Sequence, residues 1–356
     1  SPAIRAENKI SDALTFSCSP HNDLFNALGS QKYRRFDTPL AALQQAKSNS
    51  AVLILADGYP EKFTSLNTNE LAITEEKNLR LFIEYPNAIP GMEIGALRKT
   101  EWERGVIASD IFSPALKKLS IVAIHDCQFV PVAAKDPWLV IARVAGFSEA
   151  IFGLPKTAEP ILFEIPEKKM IVATTRLSGF VTARFAPATD WKIIWQKILA
   201  TRDPENASYE VKWDEAGHPA FAANEKLPKH FERKAFDSAA DWIVNSRLLV
   251  SPSRKEVVEN ALKNNVEIIE LPDADAPVGD GSLGIQEGYA SGILHDGNQN
   301  QRLPLRADCN TPSAMVLALD SLLNKDKRSA TISKNLLDYV YFNSGMCGGA
   351  RADPKH

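Results

Sequence analysis

At 356 residues and 44% hydrophobic content the chain is longer than one hydrophobic core usually serves, so two domains or more are expected. Its 41 basic and 44 acidic side chains are interspersed and sum to a net charge of -3, which offers no sustained field to a polyanion and argues against nucleic acid as a partner. The longest apolar runs are strand-sized, far below the ~20 residues that cross a bilayer, so no membrane span is expected.

The chain opens on Ser1 rather than Met, which fits the loss of an upstream secretion signal or tag. Cys18, Cys127, Cys309 and Cys347 are widely spaced and form no CxxC pair, so neither a zinc knuckle nor a disulfide framework is indicated. Free, partly buried thiols are the plainer expectation, and a single Cys309–Cys347 bridge is the alternative.

In chain order, residues 51–56 (AVLILA) form a short aliphatic run that ends in Asp57-Gly58-Tyr59-Pro60, which predicts a buried strand followed by a turn. The same grammar recurs at residues 79–84 (LRLFIE), 119–125 (LSIVAIH), 138–144 (WLVIARV) and 170–174 (MIVAT). Residues 68–78 between the first two runs predict a polar helix. Apolar strands separated by helices predict an α/β fold with a parallel, doubly wound sheet covered on both faces. Ligands of such sheets bind beyond the carboxyl ends of the strands, which here present Asp57, Tyr59, Glu84, Tyr85 and Asp126. Trp191, Ile194, Trp195 and Ile198 recur at helical spacing and define the apolar stripe of a helix over residues 190–199.

The segments LILADGYP, FIEYPNAIPG and ATTRLSGFVTARFAPATDWKIIWQKIL resemble the flavodoxin-like, class I glutamine amidotransferase-like (ThuA-like) domains that accompany bacterial sugar-processing enzymes. The likeness spans residues 39–201. Working amidotransferases carry a nucleophilic cysteine on a Gly-x-Cys-x-Gly elbow, and that elbow is missing. Cys127 follows a strand but is flanked by Asp126 and Gln128, so the resemblance implies a noncatalytic domain over residues 1–201. His125 closes a buried strand, where hydrogen bonding to backbone is the plain expectation. Arg176 and Arg184 have the fork geometry to grip a carboxylate or phosphate, and packing or salt bridging is equally open.

Residues 202–236, with Pro204, Pro219 and Pro228 among polar neighbours, predict a linker. Helices are predicted over residues 236–249, N-capped by Asp237 or Ser238, and from Ser251-Pro252-Ser253 onward. Two more follow at residues 311–324 and 329–342, which makes residues 237–356 a helical domain. Two helices between loops close a core poorly, so the chain reads as a fragment of a longer protein.

Residues 280–310 (DGSLGIQEGYASGILHDGNQNQRLPLRADCN) mix glycines with Asp280, Glu287, His295, Asp296 and Asp308, a pattern shaped for a ligand more than for packing. DGSLGIQEGYASGILHDGNQ followed by RADCNTPSAMVLALDSLL resembles the entry to an (α/α) six-hairpin toroid, the scaffold of many glycoside hydrolases and polysaccharide lyases. The resemblance covers residues 280–356 and implies loop carboxylates acting as acid and base on an oligosaccharide or polysaccharide. Glu287 is the first choice of acid, because Ile285, Tyr289 and Ile293 would desolvate it, with Asp296 as partner and Asp308 as the alternative. Arg302, Arg306, Asn298, Gln299 and His295 supply polar contacts to sugar hydroxyls or uronate carboxylates, and Tyr289 a stacking ring.

No cofactor is expected, although Asp273, Asp275 and Asp280 have part of the spacing of a structural calcium loop. Dinucleotide, phosphate-loop and zinc-protease motifs are missing. Three function classes follow. The first is a secreted or periplasmic glycosidase or lyase with an amidotransferase-like accessory domain. The second is a noncatalytic carbohydrate-binding or homo-oligomerisation module, and the third a cysteine-dependent amidase using Cys127 and His125.

Overall fold

The computed structural model describes residues 10–206, 208–215, 225–345 and 348. The chain divides into two compact units: Ser1–His218 with Ile293–Gly297, and Pro219–Gly292 with Asn298–His356.

The first unit is α/β. Its strands are β1 (Ser11–Ser17), β2 (Tyr33–Phe36), β3 (Ala51–Ile54), β4 (Arg80–Glu84), β5 (Arg104–Ile107), β6 (Ile121–Val122), β7 (Leu139–Ala142), β8 (Glu159–Ile165) and β9 (Met170–Ala173). They form one nine-stranded sheet in the order β2-β1-β3-β4-β9-β8-β7-β5-β6. From β2 to β9 neighbours run parallel, joined through α1 (Asp23–Ala27), α2 (Pro39–Gln45) and α3 (Thr68–Glu76). From β9 onward every pairing is antiparallel, which corrects the expectation of an all-parallel sheet. The physical reason is local. A tight turn over Pro166–Lys168, completed by Lys169 at φ 49°, returns β8 directly into β9, whereas a parallel partner needs a crossover of a dozen residues or more.

The strands alternate with period two between two cores. Phe16, Leu53, Phe82 and Ile171 face a cluster with Trp191, Trp195 and Ile198 of α4 (Ala188–Arg202). Val52, Ile54, Leu81, Ile83 and Val172 face another with Ala42 and Leu43 of α2. α3 starts on a reciprocal capping box, with Asn67 accepting from Glu70 N and Glu70 accepting from Asn67 N, both at 2.9 Å. The run at residues 119–125 keeps only Ile121–Val122 as strand, because Ala123 N turns away to bond Ala186 O at 2.7 Å.

The stretch after Thr201 does not begin as free linker. Arg202 is the last residue of α4 and is buried, donating to Leu81 O (3.0 Å) and Lys169 O (2.6 Å) while pairing with Glu164. Tyr209 and Val211 join the first core.

The second unit is mainly helical. α5 (Phe231–Asn245) and α6 (Lys255–Lys263) precede a three-stranded antiparallel sheet of β10 (Ile268–Ile269), β11 (Gly288–Tyr289) and β12 (Gln301–Arg302), in the order β10-β12-β11. α7 (Ala307–Asn324) and α8 (Lys327–Asp338) then form a hairpin that turns at Lys325 in the left-handed region, with Asp326 capping α8. Asp237, expected as an N-cap, instead lies inside α5, paired with Arg233 at 2.8 Å one helical turn away. The core gathers Val244, Leu248, Leu249, Ile285, Ala314, Leu317, Ile332 and Leu336. α7 reads as continuously apolar yet buries one side only: Ala314 and Leu317 are enclosed, while Leu319, Leu322 and Leu323 are exposed. Among the described residues no helix is long and apolar enough to cross a membrane.

Candidate functional site

Among the described residues, each unit holds a cluster of buried or paired ionisable groups that bears on function. In the first unit the carboxyl ends of β3, β4 and β9 converge on Glu84, as sheets of this type bring ligand-facing groups together. Glu84 is wholly buried. Its Oε1 accepts from Leu177 N (3.0 Å) and Ser178 N (2.7 Å), and its Oε2 from Ala56 N (3.1 Å) and Ser178 Oγ (2.7 Å). Burial pushes its carboxyl up to about 7 despite the hydrogen bonds from Ser178 and Ala56. Burial likewise raises Asp57, which accepts from Asn22 Nδ2 (2.8 Å) and Ser19 N. With four donors on two oxygens, Glu84 acts as a tie between strand ends and leaves no lone-pair direction for a ligand.

Beside it lies a pair that sequence reading did not join. Asp126, in the left-handed region at φ 48°, accepts from His295 Nδ1 (2.9 Å) and His295 N (3.1 Å) and pairs with Lys99 Nζ (2.6 Å). Burial opposes ionisation of Asp126, yet the hydrogen bonds from Lys99 and His295 outweigh it and hold the carboxyl below its ordinary range. Because a carboxylate only accepts, His295 carries a proton on Nδ1. Tyr59 donates to Asp126 O (2.9 Å), and Arg176 lies 4.9 Å from the Tyr59 ring centroid and donates to His295 O at 2.6 Å. Arg184 donates to Gly297 O. Both arginines therefore grip backbone carbonyls of the Ile293–Gly297 segment, and a Cβ at Gly297 (φ +86°) would lie 2.3 Å from Thr182 O. No sequence signal joins Asp126 to a residue 169 positions downstream.

Cys127 is fully buried, donates to Thr175 Oγ1 at 3.5 Å, and is pushed by burial up to about 12. Such a thiol stays protonated at neutral pH and is not a nucleophile. His125 follows the structural expectation, its Nδ1 donating to Ala183 O at 2.8 Å.

The second unit brings four of the sequence-derived residues together. Glu287 precedes β11, Arg302 ends β12, Arg306 precedes α7 and Asp308 lies in its first turn. Glu287 Oε2 is 3.7 Å from Arg302 Nε, Glu287 Oε1 is 3.7 Å from Arg306 NH1, and Arg306 Nε is 3.2 Å from Asp308 Oδ1. Glu287 therefore faces two guanidinium groups where apolar neighbours were expected. Glu287 Oε2, Arg302 Nε and Gln286 Nε2 are enclosed by protein without a hydrogen-bond partner, as are Arg176 Nε, Trp191 Nε1, Trp195 Nε1 and Arg202 Nε in the first unit.

Asn310, which sequence reading passed over, positions this cluster. Fully buried, it accepts from Ile285 N (2.9 Å) and donates to Ile285 O (3.3 Å) and Arg306 O (2.7 Å), fixing the chain on both sides of Glu287. Its signal was an amide in the first turns of a helix that follows a glycine-bearing loop.

The other expected residues are placed differently. Tyr289 donates to Ser246 O and packs against the core, so its ring is no open platform. Gln299 donates to Ala290 O at 2.9 Å, and Asn298 is exposed. His295 and Asp296 belong to the first compact unit, while Glu287 belongs to the second. Gly281 and Gly284 serve packing: at φ +85° and +82°, a Cβ would meet Ile332 O at 2.8 Å and the Tyr339 ring at 2.7 Å. In the segment with part of a calcium-loop spacing, the carbonyls of Pro272 (3.4 Å) and Asp273 (2.7 Å) accept from Arg247, and Asp280 accepts from Ser282 Oγ (2.6 Å) and Ser282 N (3.0 Å). Among the described residues no group of three or more His, Cys, Asp or Glu is arranged to hold a metal. Cys347 lies outside the described residues, and Cys309 is a free thiol.

No protein-family model matches the chain, and no curated protein matches it.

Proposed function

We propose that the chain belongs to a carbohydrate-processing protein, a glycoside hydrolase in which Glu287 and Asp308 are the reacting carboxyl groups and Arg302 and Arg306 orient the sugar. The observation that carries this reading is the sharing of one guanidinium, Arg306, by both acids. That bridge gathers both acids on one cation, and retaining or inverting hydrolysis uses carboxyl groups ~5 to ~9.5 Å apart. Glu287 is assigned the proton-donating role by its shielded position, and in that role Arg302 and Arg306 would turn from the carboxyl group to the sugar. Asp308, more exposed, is assigned to the nucleophile or to the base that activates water, with an oxocarbenium-like transition state between the two carboxyl groups. Asp296 is left out of the pair because it belongs to the other unit.

In this reading the first unit is a flavodoxin-like, noncatalytic accessory domain, supported by its inert Cys127 and by the β2-β1-β3-β4-β9 run of parallel strands. The α7–α8 hairpin is the first of a ring of helical hairpins, and the protein works outside the cytoplasm on an oligosaccharide. A second reading, a noncatalytic sugar-binding module, is favoured by one observation: both acids already face cations, an array that hydrogen-bonds vicinal hydroxyls without chemistry.

The test is reducing-end release from a panel of neutral and uronate-containing oligosaccharides by the intact protein. Glu287→Gln and Asp308→Asn should each lower turnover by about 10³-fold, with thermal stability changed by less than about 1 kcal/mol. Full turnover in both variants eliminates the proposal. Calorimetric binding without product release selects the binding module.

A further inference from the structure

The first unit holds a cleft of about 490 Å³ lined by His125, Phe180, Arg184, Phe185, Trp213 and Asp214, among others, within the ~300 to ~1,000 Å³ of small-molecule sites. Its lining belongs to the first unit and the Glu287 cluster to the second, and the inference is independent of the function proposed for that cluster.

Four features make it more than a surface depression. The Trp213 indole is partly exposed and braced, with the Phe180 ring centroid 4.6 Å away and Lys192 Nζ over its own ring at 4.7 Å, so an aromatic ring is held in place at the cleft wall. His125 donates Nδ1–H to Ala183 O, which fixes the tautomer and leaves Nε2 as an acceptor on a cleft-lining ring. Arg184 has φ 52°, a left-handed conformation that residues other than glycine adopt sparingly and that gathers at functional sites. Asp214 and Glu215 add carboxylate acceptors, and Glu215 is already paired with Lys192 at 3.2 Å.

Of the charged residues lining the cleft, Glu215 is neutralised by Lys192 at 3.2 Å, which leaves one of each sign, Arg184 and Asp214. An anionic or cationic ligand would leave one sign unmatched, whereas a polyhydroxylated neutral ring uses donors and acceptors together with an aromatic face. We infer that this cleft binds a neutral sugar ring, its apolar face on Trp213 and its hydroxyls on Asp214, Arg184 and His125.

The experiment is saturation-transfer NMR on the full chain with cellobiose, lactose and galacturonate as probes, in a Glu287→Gln, Arg306→Ala background that disables the other cluster. Transfer to the ring protons of a neutral disaccharide should persist in that background. It should fall about tenfold in Trp213→Ala and in Asp214→Asn, the latter at an exposed position whose change does not threaten folding. Absence of transfer to all three probes overturns the inference, as does transfer unchanged in both variants. Preference for galacturonate over the neutral sugars overturns the assignment of ligand class.

Discussion

Glu84 and Glu287 are both acids at strand ends, and the two units treat them in opposite ways. Glu84 is sealed among four donors from two segments, each 2.7 to 3.1 Å away. Glu287 is partly open, with two guanidinium groups standing 3.7 Å off and Oε2 unmatched. A fully matched buried acid is a structural tie whose removal strands its donors, while an under-matched acid in a pocket of cations retains capacity for a ligand. Satisfaction of lone pairs, more than burial or sequence context, separates the two roles.

The strongest way to break this comparison is Glu84→Ala. It leaves the N–H groups of Ala56, Leu177 and Ser178 and one hydroxyl without an acceptor, and should destabilise the first unit by about 3 to 5 kcal/mol. Hydrogen exchange at Leu177 and Ser178 checks it; protection equal to that of the unaltered protein would move Glu84 out of the tie role.

The pH dependence sharpens the contrast next. The Glu84 carboxyl titrates at about 7 when folded against an ordinary 4.5, so its neutral form is favoured by folding. That contribution, about 3 kcal/mol, is complete below about 4.5 and is lost as pH rises through about 7. Asp126, held below its ordinary range, acts oppositely: its contribution stands above that range and is lost as pH falls through the lowered value. Melting curves of Glu84→Gln, which stays neutral at every pH, should therefore lie closest to those of the unaltered chain in mild acid and diverge toward neutral pH, where the unaltered chain loses stability relative to the variant. Parallel curves from pH 4 to 8 would remove the raised titration of Glu84.

The smallest effect is expected where the acid is under-matched. Arg302→Ala removes one cation 3.7 Å from Glu287 and should shift stability by under about 1 kcal/mol, while weakening oligosaccharide binding about tenfold by calorimetry. A large loss of stability with unchanged binding would make Arg302 a structural residue.

Much of the α/β unit was legible. The runs that became β3, β4 and β9 are apolar on both faces, and such runs declare buried strands without declaring direction, which is why the antiparallel half of the sheet was missed. The stripe of Trp191, Ile194, Trp195 and Ile198 placed α4 correctly, because helical period survives any tertiary context. In residues 280–310 the polar residues were singled out together, but their division between the two units was not read. Glu287, Arg302, Arg306 and Asp308 meet through a short three-stranded sheet that their own neighbours build. His295 is claimed by Asp126, and Gly281 and Gly284 by the close approach of α8 and the turn after it. Glycine beside an acid looks the same in sequence whether it admits a ligand or a neighbouring helix.

The His295 bridge gives the first unit a topology that linear dissection would damage. A piece ending at His218 would contain every strand of the large sheet and still lack Ile293–Gly297. Asp126 would then retain the Lys99 partner alone, and the guanidinium groups of Arg176 and Arg184 would lose the carbonyls they hold. This module is encoded in two separated stretches of gene, so its natural unit of transfer between proteins is the whole span through Gly297.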